Sequence, residues 1–212
     1  MQYKKQRREL TARQGTEPMV SIGYLNLAKS MRNLMAQFAY LTRIYFTSIF
    51  SQYGDDQAIA DKLYSLPNRF QEKAELIFGA PLSEEFLNVF SLQIFYILSL
   101  GNAMAAGDQE TADYYTQLLY ENADAMAAQY AKMNPFWDEM QWKTLLYNYI
   151  NLIIQDAVAT GSREFEKELD IFERMLLASL AMGDYLADGF YQYMVAGIGH
   201  DTAPTPKPDA AS

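Results

Sequence analysis

The stretch FLNVFSLQIFYILSLGNAMAAGD, Phe86 to Asp108, decides the fold class of this chain. Its apolar side chains recur at steps of mostly three and four residues, which is the spacing of one face of an α-helix. Gly107 suits the residue that closes a helix, and Asp108 suits the cap that opens the next one. The stretch therefore predicts a long helix that turns tightly into another. The apolar positions are Leu87, Phe90, Ile94, Ile97 and Leu98.

The same turn signal occurs three times in the chain. Gly54-Asp55 and Gly161-Ser162 repeat the pair Gly107-Asp108 at spacings of 53 and 54 residues. An aromatic and aliphatic helical face precedes each turn, and strand signals are weak throughout. Pro67 is expected to kink or split the second helix near Leu66. The sequence predicts an all-α fold: six long helices, as three tandem helical hairpins with a period of about 53 residues, packed into one bundle.

The pattern divides the chain into an arm, a bundle and a tail. Residues 1–27 are expected to be a basic, partly disordered arm with an apolar patch, and residues 197–212 a disordered tail rich in proline. The helical bundle takes residues 28–196. Asn134 and Pro135 are expected to open the fifth helix, as its cap and its first residue. The three hairpins are expected at residues 28–79, 80–134 and 135–196.

The charge of the chain restricts its partners. The formal net charge is −9, yet residues 1–14 carry five basic side chains against Glu9, a net +4, so the other 198 residues sum to −13. A body this acidic repels phosphates, which argues against nucleic-acid binding. Membrane contact is expected to be peripheral at most, through the arm. The absence of cysteine fits a reducing compartment, and we expect a cytoplasmic protein.

One segment is long enough to span a bilayer. Phe86 to Ala106 contains no charged residue over 21 positions. It also contains Asn88, Gln93 and Asn102, whose side chains are costly in lipid. We therefore expect this helix to be buried inside the bundle.

The scarcity of histidine excludes most familiar enzyme classes. His200 is the only histidine, and it falls in the predicted tail. Serine-histidine-aspartate triads, zinc sites built on histidine and the di-iron centres of helical bundles are excluded with it. Glycines stand singly at helix ends, so no phosphate-binding loop is present. We expect a protein that is not an enzyme and that carries no cofactor.

Carboxylates are the remaining candidates for chemistry. Three aspartates lie among apolar residues of predicted helices, and two of them inside the bundle could share a proton or hold a cation. These weak metal candidates are Asp124, Asp156 and Asp184. The competing interpretation is that they form ion pairs with Arg43, Arg69 or Arg174. A further acidic run suits a solvated helix start: Glu164, Glu166, Glu168, Asp170 and Glu173.

Several short motifs resemble a family of uncharacterised bacterial all-helical proteins with a repeated helical hairpin. The resemblance covers about residues 31–193. Its motifs are Leu41-Thr42-Arg43, Gly107-Asp108, Tyr120-Glu121-Asn122-Ala123-Asp124, Asn134-Pro135-Phe136-Trp137 with Trp142, and Met182-Gly183-Asp184.

The resemblance implies a set of inner polar positions. A histidine recurs in the first helix of each hairpin in the family, and here those places hold Phe38, Gln93 and Tyr149. An acidic residue recurs in the second helices, where Asp124 and Asp184 match it and Arg69 replaces the first copy. The resemblance therefore implies that a histidine–carboxylate centre is absent from this chain. It also implies that Arg69 could neutralise one of the two aspartates in a buried cluster, with Arg43 as a further inner polar residue.

The leading hypothesis for function is binding rather than catalysis. We expect a non-enzymatic helical bundle that acts by protein–protein interaction or as a homo-oligomer. An apolar patch ahead of the first helix is the candidate docking surface: Met19, Val20, Ile22, Tyr24 and Leu25. The alternative is a cation or small ligand bound at a carboxylate cluster inside the bundle.

Overall fold

The described part of the chain is helical from end to end. A computed structural model describes residues 21–197, and within them it contains six α-helices and no β-strand. The prediction of an all-α bundle of six helices is confirmed, whereas the regular period of the hairpins stays a prediction. The helices are α1 (Ile22–Ser51), α2 (Asp56–Phe78), α3 (Ala80–Ala106), α4 (Gln109–Met133), α5 (Glu139–Gly161) and α6 (Phe165–Val195).

The six helices close into a ring. Each helix packs against the next along the chain, and α6 returns to pack against α1 in the most extensive contact of the described residues. α1, α3 and α5 also contact one another, so they form the inner layer. The largest fully buried side chains, Trp142, Phe46 and Phe70, lie within this closed core. The arrangement is a closed bundle and not an open solenoid.

The first helix begins earlier than the sequence predicts. The hydroxyl of Ser21 accepts a hydrogen bond from the backbone N–H of Tyr24 at 3.0 Å and caps α1. The helix therefore starts at Ile22 and not at residue 28, because a serine cap satisfies one of the free N–H groups at a helix start. The segment 22–27, assigned above to an arm, is the first part of α1. The rest of the arm and the tail from residue 198 lie outside the described residues.

The turns at Gly107 and Gly161 were predicted alike, but the positive φ falls on the glycine only in the first of them. Gly107 closes α3 with a φ of 71°, and the side chain of Asp108 caps α4, both as predicted. Gly161 instead lies inside the last turn of α5, and Arg163 adopts a φ of 58°. A Cβ atom on Gly161 would lie 2.9 Å from the ring of Phe50. Gly161 is therefore the last residue of α5 and leaves room for the Phe50 ring of α1, while the left-handed backbone angle falls on Arg163.

Asn134 does not open the fifth helix. Its backbone N–H bonds to the carbonyl of Tyr130, so it closes α4, and its side chain accepts from the N–H of Phe136 at 3.0 Å. Asp138 is the cap of α5 and accepts from the N–H of Gln141 at 2.8 Å. Both residue types suit a cap, and the buried Trp137 lies between them in the connection from α4 to α5.

Pro67 does not divide the second helix. α2 is continuous from Asp56 to Phe78, with Pro67 in its interior. A proline removes one N–H from the hydrogen-bond ladder at a cost of about 3 kcal/mol. Leu66 and Pro67 are both buried in the core, and this burial offsets part of that cost.

The apolar middle helix is only partly buried in the bundle: Leu92 and Phe95 are each 43% exposed, and 44% of its most apolar 18-residue stretch is buried. Among the described residues α3 is the one helix long and apolar enough to cross a membrane, with a mean hydropathy of 1.5 in its most apolar window. It packs against α1, α2, α4 and α5. A core helix has the same length and composition, so this feature is weak evidence for a membrane span.

Candidate binding site on the inner face of α5

Three of the predicted inner positions meet around one cavity. Phe38 of α1, Gln93 of α3 and Tyr149 of α5 are all buried and line a cavity of about 30 Å³ in the centre of the bundle. Its remaining lining is aromatic and aliphatic, with Trp142 among its members. These three positions therefore share one place in the fold, and none of their side chains is charged.

The walls of this cavity are fixed by aromatic packing and one amide pair. The ring of Phe38 lies 5.3 Å from that of Phe90 and 5.4 Å from that of Tyr149, measured between centroids. The side-chain carbonyl of Gln93 accepts a hydrogen bond of 2.7 Å from the amide of Asn122, which also donates to the backbone carbonyl of Val89. These contacts hold both polar and apolar walls in place.

A stripe of polar atoms runs along the inner face of α5. Trp142, Tyr149 and Asp156 are spaced seven residues apart, which places them on one side of the helix. All three side chains are buried. The indole N–H of Trp142, the hydroxyl of Tyr149 and both carboxylate oxygens of Asp156 have no hydrogen-bond partner among the described residues. Buried polar atoms are usually paired, so this stripe is the most unusual chemical feature of the bundle.

Asp156 has a strongly altered acidity. Burial, and after it the negative charge of Glu168, raise its pKa from the usual 3.8 to about 7, while the positive charge of Arg43 acts in the opposite direction. Arg43 forms an ion pair with Glu168 through its Nε, and its Nη2 donates to the second carboxylate oxygen at 3.0 Å. The guanidinium also lies 4.7 Å from the centre of the Phe172 ring. Arg43 is thus committed to Glu168, and Asp156 has no cation of its own.

Burial also suppresses the acidity of Tyr149. Its pKa lies well above the usual value of 10.0, first because the hydroxyl is desolvated and second because the charge of Asp156 opposes a phenolate. Its hydroxyl is therefore a hydrogen-bond donor at any ordinary pH and not a base.

The three candidate aspartates do not come together. Asp124 lies on the surface, where it contacts the Lys143 ammonium at 3.3 Å and accepts from the Tyr147 hydroxyl at 2.9 Å. Asp184 pairs with Arg32 at 2.6 Å, also on the surface. The described residues contain no group of three acidic or histidine side chains that could hold a metal ion. The predicted carboxylate cluster is therefore not formed by these three residues.

The predicted partners of these aspartates also differ from those observed. Arg69 is exposed and donates to the side-chain carbonyl of Gln37 at 2.6 Å, so it neutralises neither aspartate. Arg174 has a long contact of 3.4 Å with Gln155. The acidic run at the start of α6 is only partly solvated, because Glu168 is buried against Arg43. Arg32 and Glu168 were missed because only long-range packing brings them to their partners.

Three of the predicted docking residues lie in the described part of the chain, and two of them are exposed. Ile22 and Leu25 are exposed to 78% and 54%. Tyr24 is half-buried: its ring lies 5.1 Å from that of Tyr191, and its hydroxyl donates to Asp188, which raises its pKa to about 12. Met19 and Val20 lie outside the described residues.

Ile22 and Leu25 lie at an end of the bundle that carries five further exposed apolar side chains. The start of α1 meets the end of α6 through Tyr24 and Tyr191. The end of α2 meets the same region, because Phe78 contacts Trp137 and Tyr193. We call this end of the bundle the apolar end. Its exposed side chains are Ile22, Leu25, Leu76, Phe136, Met140, Met194 and Val195.

Comparison with protein-family models, curated proteins and solved structures finds no match for the chain. The resemblance to bacterial hairpin-repeat proteins therefore stays a prediction.

Proposed function

We propose that this protein is a non-enzymatic helical bundle that acts by self-association through its apolar end. The observation that supports the proposal is the concentration of seven large exposed apolar side chains at that end. Leu76 is the most exposed of them, at 88%. Large apolar patches on soluble proteins mark interaction surfaces, because burying them removes apolar area from water.

A second copy of the chain is the occupant that the charge distribution favours. The basic segment 1–14 carries +4 and the rest of the chain −13. The chain enters the bundle at Ile22, which belongs to the apolar end. Two copies of the chain therefore carry segments of opposite charge, which favours their association over that of two uniformly acidic chains. A two-fold pairing of identical surfaces is also the commonest form of homo-oligomer.

The alternative function, a cation held by carboxylates, has less support. Asp124 and Asp184 are both paired with basic side chains on the surface. Asp156 has only Glu168 as an acidic neighbour, and that residue is paired with Arg43. A cation at Asp156 would have to compete with an existing ion pair, so we do not propose it.

The test is the solution mass of the full chain, measured by size-exclusion chromatography with light scattering over a range of concentrations. We expect a mass above the 24.2 kDa of one chain. The double variant Leu25→Glu, Leu76→Glu should return it to one chain, because a buried unpaired carboxylate opposes association. Leu177→Glu is the matched control, since Leu177 is 60% exposed but lies in the middle of α6.

A chain that stays at 24.2 kDa at every concentration would contradict the proposal. A single-chain mass combined with sedimentation on anionic vesicles of phosphatidylserine and phosphatidylcholine would contradict it too, and would assign the apolar end to a lipid surface.

A further inference from the structure

Two side chains of one helix that line the central cavity carry hydrogen-bond donors without a partner among the described residues. The indole N–H of Trp142 and the hydroxyl of Tyr149 both belong to side chains that line it. The two residues are 1% and 2% exposed, so bulk water does not reach them. A phenylalanine in place of Tyr149 would keep the ring and lose only the polar atom, as Phe38 shows on the facing helix.

The other tryptophan shows what a satisfied indole looks like in this fold. Trp137 is 2% exposed and lies 5.7 Å from Trp142, measured between ring centroids. Its indole N–H donates to the backbone carbonyl of Tyr185 at 3.1 Å. Two neighbouring indoles in one core therefore differ in their hydrogen bonding: the Trp142 donor has no partner among the described residues, and its side chain lines the cavity.

We propose that the central cavity is a binding site for a small uncharged molecule with an oxygen acceptor, held by the Trp142 indole N–H and the Tyr149 hydroxyl. The molecule is uncharged because the aromatic and aliphatic walls give no counter-charge, and a buried ion without one is strongly unfavourable. An acceptor oxygen is required because an indole N–H only donates.

The volume sets the size of the molecule. A cavity of about 30 Å³ exceeds the roughly 10–15 Å³ that a water molecule needs. Met35, Met126 and Met182 also line the cavity. Methionine side chains change conformation easily, so the site can widen for a guest of a few heavy atoms. The same chemistry is offered by water and by a small carbonyl compound.

The test uses the nitrogen-15-labelled full chain and nuclear magnetic resonance. The chain has two tryptophans, hence two indole N–H signals, and Trp142→Phe assigns them. Water in the site gives a nuclear Overhauser effect between long-lived water and the Trp142 indole proton. A carbonyl guest gives a saturable shift of the same signal on titration with acetone. In either case the signal of Trp137 should not respond, because its donor is already bonded to Tyr185.

The absence of both effects at Trp142, or equal effects at the two indoles, would overturn the proposal. A long-lived water contact without an acetone shift supports the site with water as its guest, and an acetone shift supports a small organic guest.

A pair of variants gives an independent check. Tyr45 is as buried as Tyr149, but its hydroxyl donates to the side-chain carbonyl of Asn102 at 3.0 Å. Tyr45→Phe therefore measures the loss of a satisfied buried hydroxyl. If Tyr149 bonds to a guest, Tyr149→Phe should lower the melting temperature by a comparable amount. A rise in the melting temperature would overturn the proposal, because removing an unpaired buried hydroxyl stabilises a fold.

Discussion

The contact between α1 and α6 closes the bundle, and its two halves are built differently. The half near the start of α1, which we call the outer half, carries the ion pair of Arg32 and Asp184, whose side chains are 45% and 43% exposed. The half near the end of α1, which we call the inner half, carries the ion pair of Arg43 and Glu168, whose carboxylate is almost fully buried. The unpaired Asp156 of α5 lies near this second pair. An arginine–carboxylate pair is therefore exposed to solvent in the outer half and largely buried in the inner half. The difference predicts that pH should act mainly through the inner half.

The largest expected effect comes from Asp156 itself. Its pKa in the folded state, about 7, lies above the 3.8 of an unfolded chain, so it favours folding fully below pH 4 and loses that contribution as pH rises to about 7. Each pKa unit corresponds to about 1.4 kcal/mol, so ionisation costs the folded state about 4 kcal/mol. Asp156→Asn should raise the free energy of unfolding by up to that amount at pH 8, measured by urea denaturation.

At pH 3.5 the same substitution should have almost no effect, because both states are then protonated. Glu168→Gln sharpens this test: it removes a negative neighbour of Asp156 and frees Arg43, so the pH at which stability is lost should fall. A wild-type free energy of unfolding that rises steadily from pH 4 to pH 7, as for ordinary paired carboxylates, would contradict the raised pKa of Asp156.

The next effect concerns the close approach of the two backbones at the outer half. A Cβ atom on Gly183 of α6 would lie 2.8 Å from the Cα atom of Arg32 on α1. Gly183→Ala should therefore destabilise the fold by about 2 kcal/mol, because backbone atoms must move to admit it. Gly23→Ala is the control, since the added atom meets only the Ser21 side chain at 3.9 Å.

Gly23→Ala should leave stability unchanged or raise it by up to about 1 kcal/mol, the usual helical preference for alanine. Thermal unfolding of both variants measures the contrast. Equal stabilisation by the two substitutions would show that α1 and α6 are further apart than described.

The smallest effect belongs to the exposed ion pair. Asp184→Asn should cost less than about 1 kcal/mol, because solvent and salt screen charges at the surface. The cost should shrink further in 1 M sodium chloride, where the screening length is about 3 Å. A loss as large as that from Gly183→Ala would place this pair among the main determinants of the closure.

The sequence predicts the helices well because their apolar faces and turn residues are local signals. Helix ends are less predictable: Asn134 and Asp138 are residue types that cap a helix equally well, and only the fold shows that Asp138 opens α5. Of the predicted inner positions, Phe38, Gln93 and Tyr149 line one cavity, whereas Arg69 is exposed.

Ion pairs could not be assigned from the sequence in the same way. Glu168 belongs to an acidic run typical of a solvated helix start, and only the return of α6 to α1 buries it against Arg43. Arg32 reaches Asp184 across 152 positions of the chain. The seven-residue spacing of Trp142, Tyr149 and Asp156 was visible in the sequence, but that their polar atoms lack partners is a property of the folded core.

The contact of Tyr24 with Tyr191 has a topological consequence. It places the start of α1 beside the end of α6, so the six helices form a closed ring. The chain termini therefore mark one of several positions at which the polypeptide could begin and end. A short linker from Val195 to Ile22 would join these ends, and a new opening at the exposed Gly107 turn would preserve every helix. The order of the hairpins along the chain is thus separable from their arrangement in space, and a circular permutant begun at Asp108 would have to build the same core.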